Sequence, residues 1–140
     1  MILCEIIMQM EDSIFTKIIK EQVPCHKVYE DDKTIAFMDI HPIQPGMVLV
    51  VPKIQIDHFM DLPESDYTAL MLTVKKIAQK MHAVFPDKRI GVQIEGLDVP
   101  HAHIKLIPIS ASQESRAKPD VAAEPDHAAL VAMAKKLAIG

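Results

Sequence analysis

Two histidines and a lysine alternate with apolar residues in the segment VPHAHIKLIPI. In a β-strand, side chains two positions apart point to the same face, so His101, His103 and Lys105 would lie together and the apolar residues opposite. Imidazole and ammonium groups on one face could attack or bind a phosphate, or ligate a metal. A solvated outer strand face alternates in the same way, so periodicity alone leaves that alternative open.

The pair His101 and His103 could also be part of a metal site. Such a site needs further ligands and groups that orient them, and no partner stands at a convincing spacing in the sequence. Lys105 would also repel a cation. The sequence therefore predicts no bound metal and no cofactor.

The composition describes one globular domain with a sizeable apolar core. The chain has 140 residues, 49% of them hydrophobic and 24% charged, with a mean hydropathy of +0.14. Its net charge of −4 and pI near 5.9 argue against a protein that grips nucleic acid through its phosphate backbone. A phosphate ligand, if there is one, should be small.

The cysteines and the first residues bear on the compartment. Cys4 and Cys25 form no C-x-x-C pair, which excludes a disulfide framework and a zinc knuckle and favours a reducing cytosol. The apolar start MILCEIIMQ lacks a basic region and contains Glu5, so we expect neither export nor membrane insertion. Residues 1–11 are interpreted as an N-terminal extension, with Met10 an alternative start, and the protein as cytoplasmic.

Local patterns predict the elements that would position these side chains. Ser13 should cap a short helix that runs to Pro24. KVYE, TIAFMDI and MVLVVPK, separated by turn residues, predict three antiparallel strands. RIGVQIEG and HAHIKLIPI predict two more, after a long amphipathic helix near residues 65–84 that ends before Pro86.

The order of these elements is typical of an α+β domain. We place that domain at residues 12–109. Residues 110–125 are polar and contain two prolines, which indicates an irregular arm, and Asp126 should cap a last helix. Residues 110–140 are therefore interpreted as a C-terminal arm and helix.

Two stretches carry a resemblance to a known family. GLDVPHAHIKLIP resembles the signature of the histidine-triad (HIT) family, and DSIFTKIIKEQVPCHKVYEDDKTIAFMDIHPIQPGMVLVVPK resembles its N-terminal half. Together they cover roughly residues 12–108. The resemblance implies an α+β fold with an antiparallel sheet of about five strands, a long helix and a short N-terminal helix. It also implies a nucleotide-binding homodimer that cleaves or transfers nucleotidyl groups at the α-phosphate.

The resemblance assigns roles to the histidine segment. His103 stands at the position of the nucleophile. Its bond to phosphorus would be labile enough for water to hydrolyse later. His101 stands where the family supports and orients that nucleophile. The turn formed by Gly96, Asp98 and Val99 would approach the phosphate, and glycine leaves room for that approach.

The N-terminal half would bind the nucleoside. By resemblance, the apolar wall around the base consists of Phe15, Ile18, Val23 and Leu49. Asp39, with Ile40 and His41, would meet the ribose, since a carboxylate can accept hydrogen bonds from two hydroxyls. Ordinary core packing remains the alternative for the apolar residues, and a simple turn start the alternative for Asp39.

The sequence departs from the family pattern at several positions. Lys105 replaces the third histidine of the triad, and Met47 stands where a further histidine is common. Lysine keeps a positive charge, but the ordinary pKa of lysine is about 10.4 against about 6.5 for histidine, so it is a poor proton donor or acceptor near neutral pH. Ser13 and Thr16 replace a zinc-binding cysteine pair of some members, and Gln55 is given no catalytic role.

Two functions follow as hypotheses. The first is a nucleotidyl hydrolase or phosphoramidase that acts through a covalent His103 intermediate, with Lys105 and Met47 lowering its rate. The alternative is a nucleotide-binding regulatory module with weak or absent catalysis. The expected partners are a purine nucleotide or nucleoside phosphoramidate and a second copy of the chain, paired through the long helix and a strand.

Overall fold

The computed structural model describes residues 11–140 of the chain. Its helices and strands are α1 (Ile14–Ile19), β1 (Lys27–Glu30), β2 (Thr34–Met38), β3 (Val48–Pro52), α2 (Glu64–Val84), β4 (Arg89–Gln93), β5 (Ile104–Ile109) and α3 (His127–Leu137). Short 3-10 turns occupy Phe59–Asp61 and Ser112–Arg116. Cys4 and nearly all of the predicted extension lie outside the described residues.

Within residues 11–140, the strands form one five-stranded antiparallel sheet in the order β1-β2-β3-β5-β4. The pairs Ala36 with Val50 and Leu49 with Lys105 fix the register at its centre. The predicted α+β class and five-stranded sheet are confirmed.

The two faces of the sheet carry two separate apolar clusters. Residues such as Val50 and Leu106 pack on the side that also holds Ile77 of α2 and Leu137 of α3. Phe37 and Leu49 point to the other side, where they pack with Phe15 of α1. Strands β2 and β3 are buried at every position because both of their faces are covered, which explains their nearly continuous apolar sequence.

The first described helix is shorter than predicted. Ser13 caps it as expected, with its side chain accepting a hydrogen bond from the Thr16 amide at 3.0 Å. The helix ends at Ile19 rather than at Pro24, because Glu21 adopts a left-handed φ of 61° that turns the chain away. This early turn brings Val23 back beside the sheet.

The histidine segment corrects a second prediction. Strand β4 ends at Gln93 and β5 begins only at Ile104, so His101 and His103 precede the strand instead of lying on it. The reason is a hydrogen bond to a distant segment: the Ala102 amide donates to the Ile56 carbonyl at 2.7 Å, outside the ladder. Ala102 still packs into the cluster beside α2, so the predicted alternation of faces continues past the strand end.

The C-terminal arm is irregular, as predicted, but it is anchored to the domain. Gln93 donates a hydrogen bond to the Ser115 carbonyl, and Gln44 donates to the Glu114 carbonyl at 3.3 Å. Asp126 caps α3 through the Ala129 amide at 3.1 Å, which confirms the predicted cap. In the part of the chain that the model describes, no helix has the length and the apolar content needed to span a bilayer.

Candidate functional site

A cavity of about 380 Å³ lies between α1, the sheet face that carries Phe37 and Leu49, and the C-terminal arm. One end is apolar and the other carries ionisable side chains. The apolar lining includes Phe15, Ile18, Val23, Phe37, Ile43, Met47, Leu49, Pro119 and Val121. Asp39, His41, Asp98, His103 and Lys105 form the polar part of the lining.

Phe15 separates the apolar end of the cavity from the histidine segment. Its ring is buried, with its centroid 5.6 Å from that of Phe37 and 5.0 Å from that of His103. The edge-on contact with His103 restrains the imidazole by packing, as aromatic pairs do in this geometry. The short helix α1 thus holds one side of the His103 ring.

His103 presents one ring nitrogen to the cavity. Its Nδ1 lies 2.8 Å from the His101 carbonyl oxygen. A carbonyl oxygen only accepts, so Nδ1 carries the proton and the neutral ring has its lone pair on Nε2. No residue in 11–140 hydrogen-bonds that Nε2, although only 4% of the residue is exposed. This is the tautomer that an imidazole nucleophile requires.

The surroundings of His103 favour the neutral ring. Burial is the main cause that lowers its pKa below the ordinary 6.5, and the nearby Lys105 ammonium lowers it further. The hydrogen bond to the His101 carbonyl and the charges of Asp39 and Asp98 act in the opposite direction. The net result is a pKa below the usual range, so the Nε2 lone pair is available at neutral pH.

His101 is fully buried, and it lies outside the cavity. Its Nε2 donates to the Pro52 carbonyl at 2.7 Å, so in the neutral ring Nδ1 accepts from the Ser13 hydroxyl, also at 2.7 Å. Burial lowers the pKa of His101 as well. The two imidazoles lie on the same side of the segment, because both rings pack against Phe15 of α1, with centroids 5.8 and 5.0 Å away. Only His103 reaches the cavity, since the His101 ring lies beneath the start of α1, where the Ser13 hydroxyl and the Pro52 carbonyl occupy its nitrogens.

Three polar residues that the sequence analysis did not connect surround His101: Ser13, Thr16 and Gln55, hereafter the His101 polar cluster. Gln55 Oε1 accepts from the Ser13 amide at 2.9 Å and from the Thr16 hydroxyl at 2.6 Å. Its amide group donates to the Glu11 carbonyl at 2.8 Å. The cluster fastens the start of α1 to the segment after β3. Ser13 was recognisable as a cap, but no sequence signal pairs it with His101.

Asp39 starts a turn and also lines the cavity, so the turn role is confirmed and the ribose role stays a prediction. Its Oδ1 accepts from the His41 amide at 2.8 Å, which is the turn-starting role, and its side chain also lines the cavity. Lys105 lies opposite Leu49 in the sheet and reaches the same cavity. The cavity thus has a carboxylate, an ammonium and an imidazole at its polar end.

Most of the predicted nucleotide-binding residues line this cavity, and one does not. Ile40, His41, Asp98 and Val99 join Phe15, Ile18, Val23, Asp39 and Leu49 around it. Gly96, with a left-handed φ of 75°, lines a smaller neighbouring cavity instead. Its place in the loop turns the chain, which leaves Asp98 and Val99 to face the larger space.

The sequence analysis missed the contribution of the C-terminal arm. Pro119 and Val121 lie against the cavity, and His41 Nε2 donates to the Ala123 carbonyl at 3.3 Å. Apolar residues within a polar, proline-bearing stretch were the available signal. In residues 11–140, no group of three or more histidine, cysteine, aspartate or glutamate side chains is arranged to hold a metal ion.

Comparison with known proteins agrees with this architecture. The family model for the HIT domain matches residues 20–111. The chain belongs to the HIT family. A HIT-like protein from Bartonella henselae superposes with a TM-score of 0.78 at 30% identity, over 90% of this chain and 94% of that one. The HIT-like fold predicted from the sequence is confirmed.

Two curated relatives have named activities. The purine nucleoside phosphoramidase of Escherichia coli is 35% identical over 103 residues, which span 69% of this chain and 87% of the relative. The asymmetrical bis(5′-nucleosyl)-tetraphosphatase of Schizosaccharomyces pombe is 37% identical over 86 residues, 57% of this chain. This match spans 47% of the tetraphosphatase, so the two proteins share only a part of that relative.

Proposed function

We propose that the chain is a nucleotidyl hydrolase or phosphoramidase that acts at the α-phosphate of a purine nucleotide or nucleoside phosphoramidate. The observation that carries the proposal is the state of His103. Its Nδ1 is held by the His101 carbonyl while Nε2 faces a cavity with no hydrogen-bond partner among residues 11–140. An imidazole held in this way is a preorganised nucleophile.

The two ends of the cavity suit the two ends of a nucleotide. The base lies between Phe15, Ile18 and Leu49, where burial of an aromatic ring is favourable. The ribose lies at Asp39, because one carboxylate oxygen is used by the His41 amide and the other is left for sugar hydroxyls. The phosphate then lies at the polar end, next to His103.

The reaction has two steps. The Nε2 lone pair of His103 forms a bond to phosphorus while the bond to the leaving group breaks, and the departing amine takes up a proton from solvent. Water then attacks phosphorus and releases a proton to solvent, the bond to Nε2 breaks, and the lone pair returns to the ring. Lys105 stabilises the negative charge on the phosphoryl oxygens in both steps.

Lys105 and Met47 set the rate in this proposal. Both line the cavity, and Lys105 stands at the third position of the triad. A lysine supplies charge but exchanges protons poorly near neutral pH, and loss of a positioned acid or base typically costs about 10²- to 10⁴-fold in rate. We therefore expect slow turnover. His101 acts as a positioning residue, because its carbonyl holds Nδ1 of His103.

The curated relatives support this chemistry, since both the phosphoramidase and the tetraphosphatase act on nucleoside compounds by name.

We also propose a cytoplasmic homodimer that does not bind nucleic acid. Strand β4 is an edge of the sheet, and Leu72 of α2 is 62% exposed, which offers a strand edge and an apolar helix face to a second copy.

Incubation with adenosine 5′-phosphoramidate followed by mass spectrometry tests the function directly. The expected result is an adenylyl group on His103 in the native protein and none in the His103→Ala variant, together with slow release of adenosine monophosphate. Binding of the compound without an adduct and without product favours the regulatory module. If the protein neither binds nor turns over the compound, both the enzyme and the regulatory module are contradicted.

A further inference from the structure

A second cavity adjoins the first at His103. It has a volume of about 210 Å³ and lies between the loop after β3 and the loop after β4. Its walls include Asp57, His58, Glu95 and Gly96, and of the described residues His103 alone lines both cavities. The imidazole therefore stands at the junction of the two cavities.

His103 is the feature that marks this junction as a binding site rather than a surface hollow. The residue is 4% exposed, and its Nε2 has no hydrogen-bond partner within residues 11–140. Before attack, the phosphorus atom placed beside this nitrogen carries two organic substituents, the nucleoside and the leaving group. The nucleoside fills the larger cavity, which leaves the smaller one to the other substituent, the leaving group.

The charges around His103 select the kind of leaving group. In the part of the chain described, the two cavities are lined by four carboxylates, those of Asp39, Asp57, Glu95 and Asp98, and by one ammonium, that of Lys105. Lys105 lies on the nucleoside side, so the ionisable side chains of the smaller cavity are all acidic or imidazole groups, set among apolar residues such as Met60. A polyphosphate chain placed there meets like charges, whereas a cation meets opposite ones.

From this layout, we propose that the second cavity is a leaving-group subsite that accepts an amine with a second, positively charged group and disfavours a polyphosphate chain. The inference rests on the proposed function and narrows it. Between the activities named for the two relatives, it assigns this chain to phosphoramidates of cationic amines. His58, whose Nε2 lies 3.9 Å from Asp57 Oδ2, moderates the acidic charge when it is protonated.

Three adenosine 5′-phosphoramidates of similar length separate charge from size. Their amines are 1,5-diaminopentane, 5-aminopentanol and 5-aminopentanoic acid, so the distal group is cationic, neutral or anionic. The expected kcat/KM falls in that order, with about a tenfold difference between the cationic and anionic compounds, because partly exposed charge pairs contribute modestly. Added salt should compress the series.

Matched variants assign the preference to the second cavity. Asp57→Asn with Glu95→Gln should bring the three compounds to nearly equal kcat/KM. Asp32→Asn with Asp87→Asn removes the same net charge away from both cavities and should leave the order intact. The His103→Ala variant lacks the nucleophile, so the affinities of the three compounds for it compare their binding without turnover.

The outcomes separate this inference from the function on which it rests. Turnover of adenosine phosphoramidates without any charge preference overturns the subsite and leaves the proposed function standing. A higher kcat/KM for bis(5′-adenosyl) tetraphosphate than for the cationic compound also overturns the subsite. If none of these compounds is turned over, the proposed function is contradicted. Equal affinities of the three phosphoramidates for the His103→Ala variant would then contradict the subsite as well.

Discussion

His101 and His103 are separated by one residue and both are buried, but their ring nitrogens differ in hydrogen bonding. Both nitrogens of His101 are hydrogen-bonded to the protein, one to Pro52 and one to Ser13. His103 uses one nitrogen, and no described residue occupies the other, which faces the cavity. The contrast shows how one motif supplies a fixed support and a reactive group, and it sets distinct expectations for substitution at each position.

The largest expected effect is the loss of turnover when His103 is replaced. His103→Ala removes the nucleophile, and removal of a single nucleophile in comparable catalytic units costs about 10⁴-fold or more in kcat. Nucleotide affinity should change by less than about tenfold, since the base and ribose contacts lie on Phe15, Leu49 and Asp39. Steady-state kinetics and calorimetric titration measure the two quantities. A loss of affinity as large as the loss of rate would show that His103 mainly binds.

Replacement of His101 should reverse the balance between stability and rate. His101→Ala leaves the buried Pro52 carbonyl and Ser13 hydroxyl without their partner, and each such loss costs about 1–3 kcal/mol. We expect the free energy of unfolding to fall by about 3 kcal/mol, more than for His103→Ala. The rate should fall by about 10- to 100-fold, because the carbonyl that orients His103 is displaced.

Denaturant unfolding of both variants, with kcat measured under the same conditions, tests this reversal. Equal stabilities for His101→Ala and His103→Ala would remove the distinction between the two rings.

The sequence predicted one of these environments better than the other. Alternation placed Ala102 with the core and His103 with Lys105 on the opposite side, and both placements follow from local geometry. The strand was extended three residues too far, since it begins at Ile104, and His101 does not line the cavity. Whether a backbone amide bonds to a strand or to a loop, as Ala102 does with Ile56, depends on chain segments far apart in sequence.

The same limit applies to the rest of the site. Ser13 and Asp126 were predicted as caps, since capping depends on a few adjacent residues. Gln55 was not connected to Ser13, and Val121 was not connected to the cavity, because these contacts link distant parts of the chain without periodicity. Short-range patterns predicted the fold, and long-range packing completed the site.

The pH dependence of stability and of kcat is a smaller expected effect, to which both histidines contribute. Burial lowers the pKa of both below 6.5, so between that value and the folded pKa only the unfolded chain binds the proton. Their contribution to stability is therefore complete above about pH 6.5 and is lost as the pH falls toward the folded pKa. The acid limb of kcat should likewise lie below pH 6.5, since His103 must be neutral to attack.

Lys105→Met distinguishes the rings within this profile. The Lys105 ammonium lowers the pKa of His103 and is not among the causes that shift His101. The variant should therefore move the acid limb of the rate to higher pH. NMR titration should show the pKa of His103 rising, whereas the pKa of His101, which the His103 charge lowers, should not rise. Equal displacement of both resonances would contradict the separation.

The smallest expected effect comes from Ser13, which caps α1 and also binds His101. Ser13→Ala removes the cap and leaves His101 Nδ1 without its donor, so the free energy of unfolding should fall by about 1–2 kcal/mol. Asp126→Ala is the matched control, because it removes the cap of α3 away from the cavity at a similar cost of about 1 kcal/mol. Only Ser13→Ala should also lower kcat, by a few-fold, since Ser13 binds His101 beside the nucleophile. Because α1 carries Phe15 onto the His103 ring, a Ser13→Ala variant with unchanged kcat would show that the His101 polar cluster supports the fold without positioning the nucleophile.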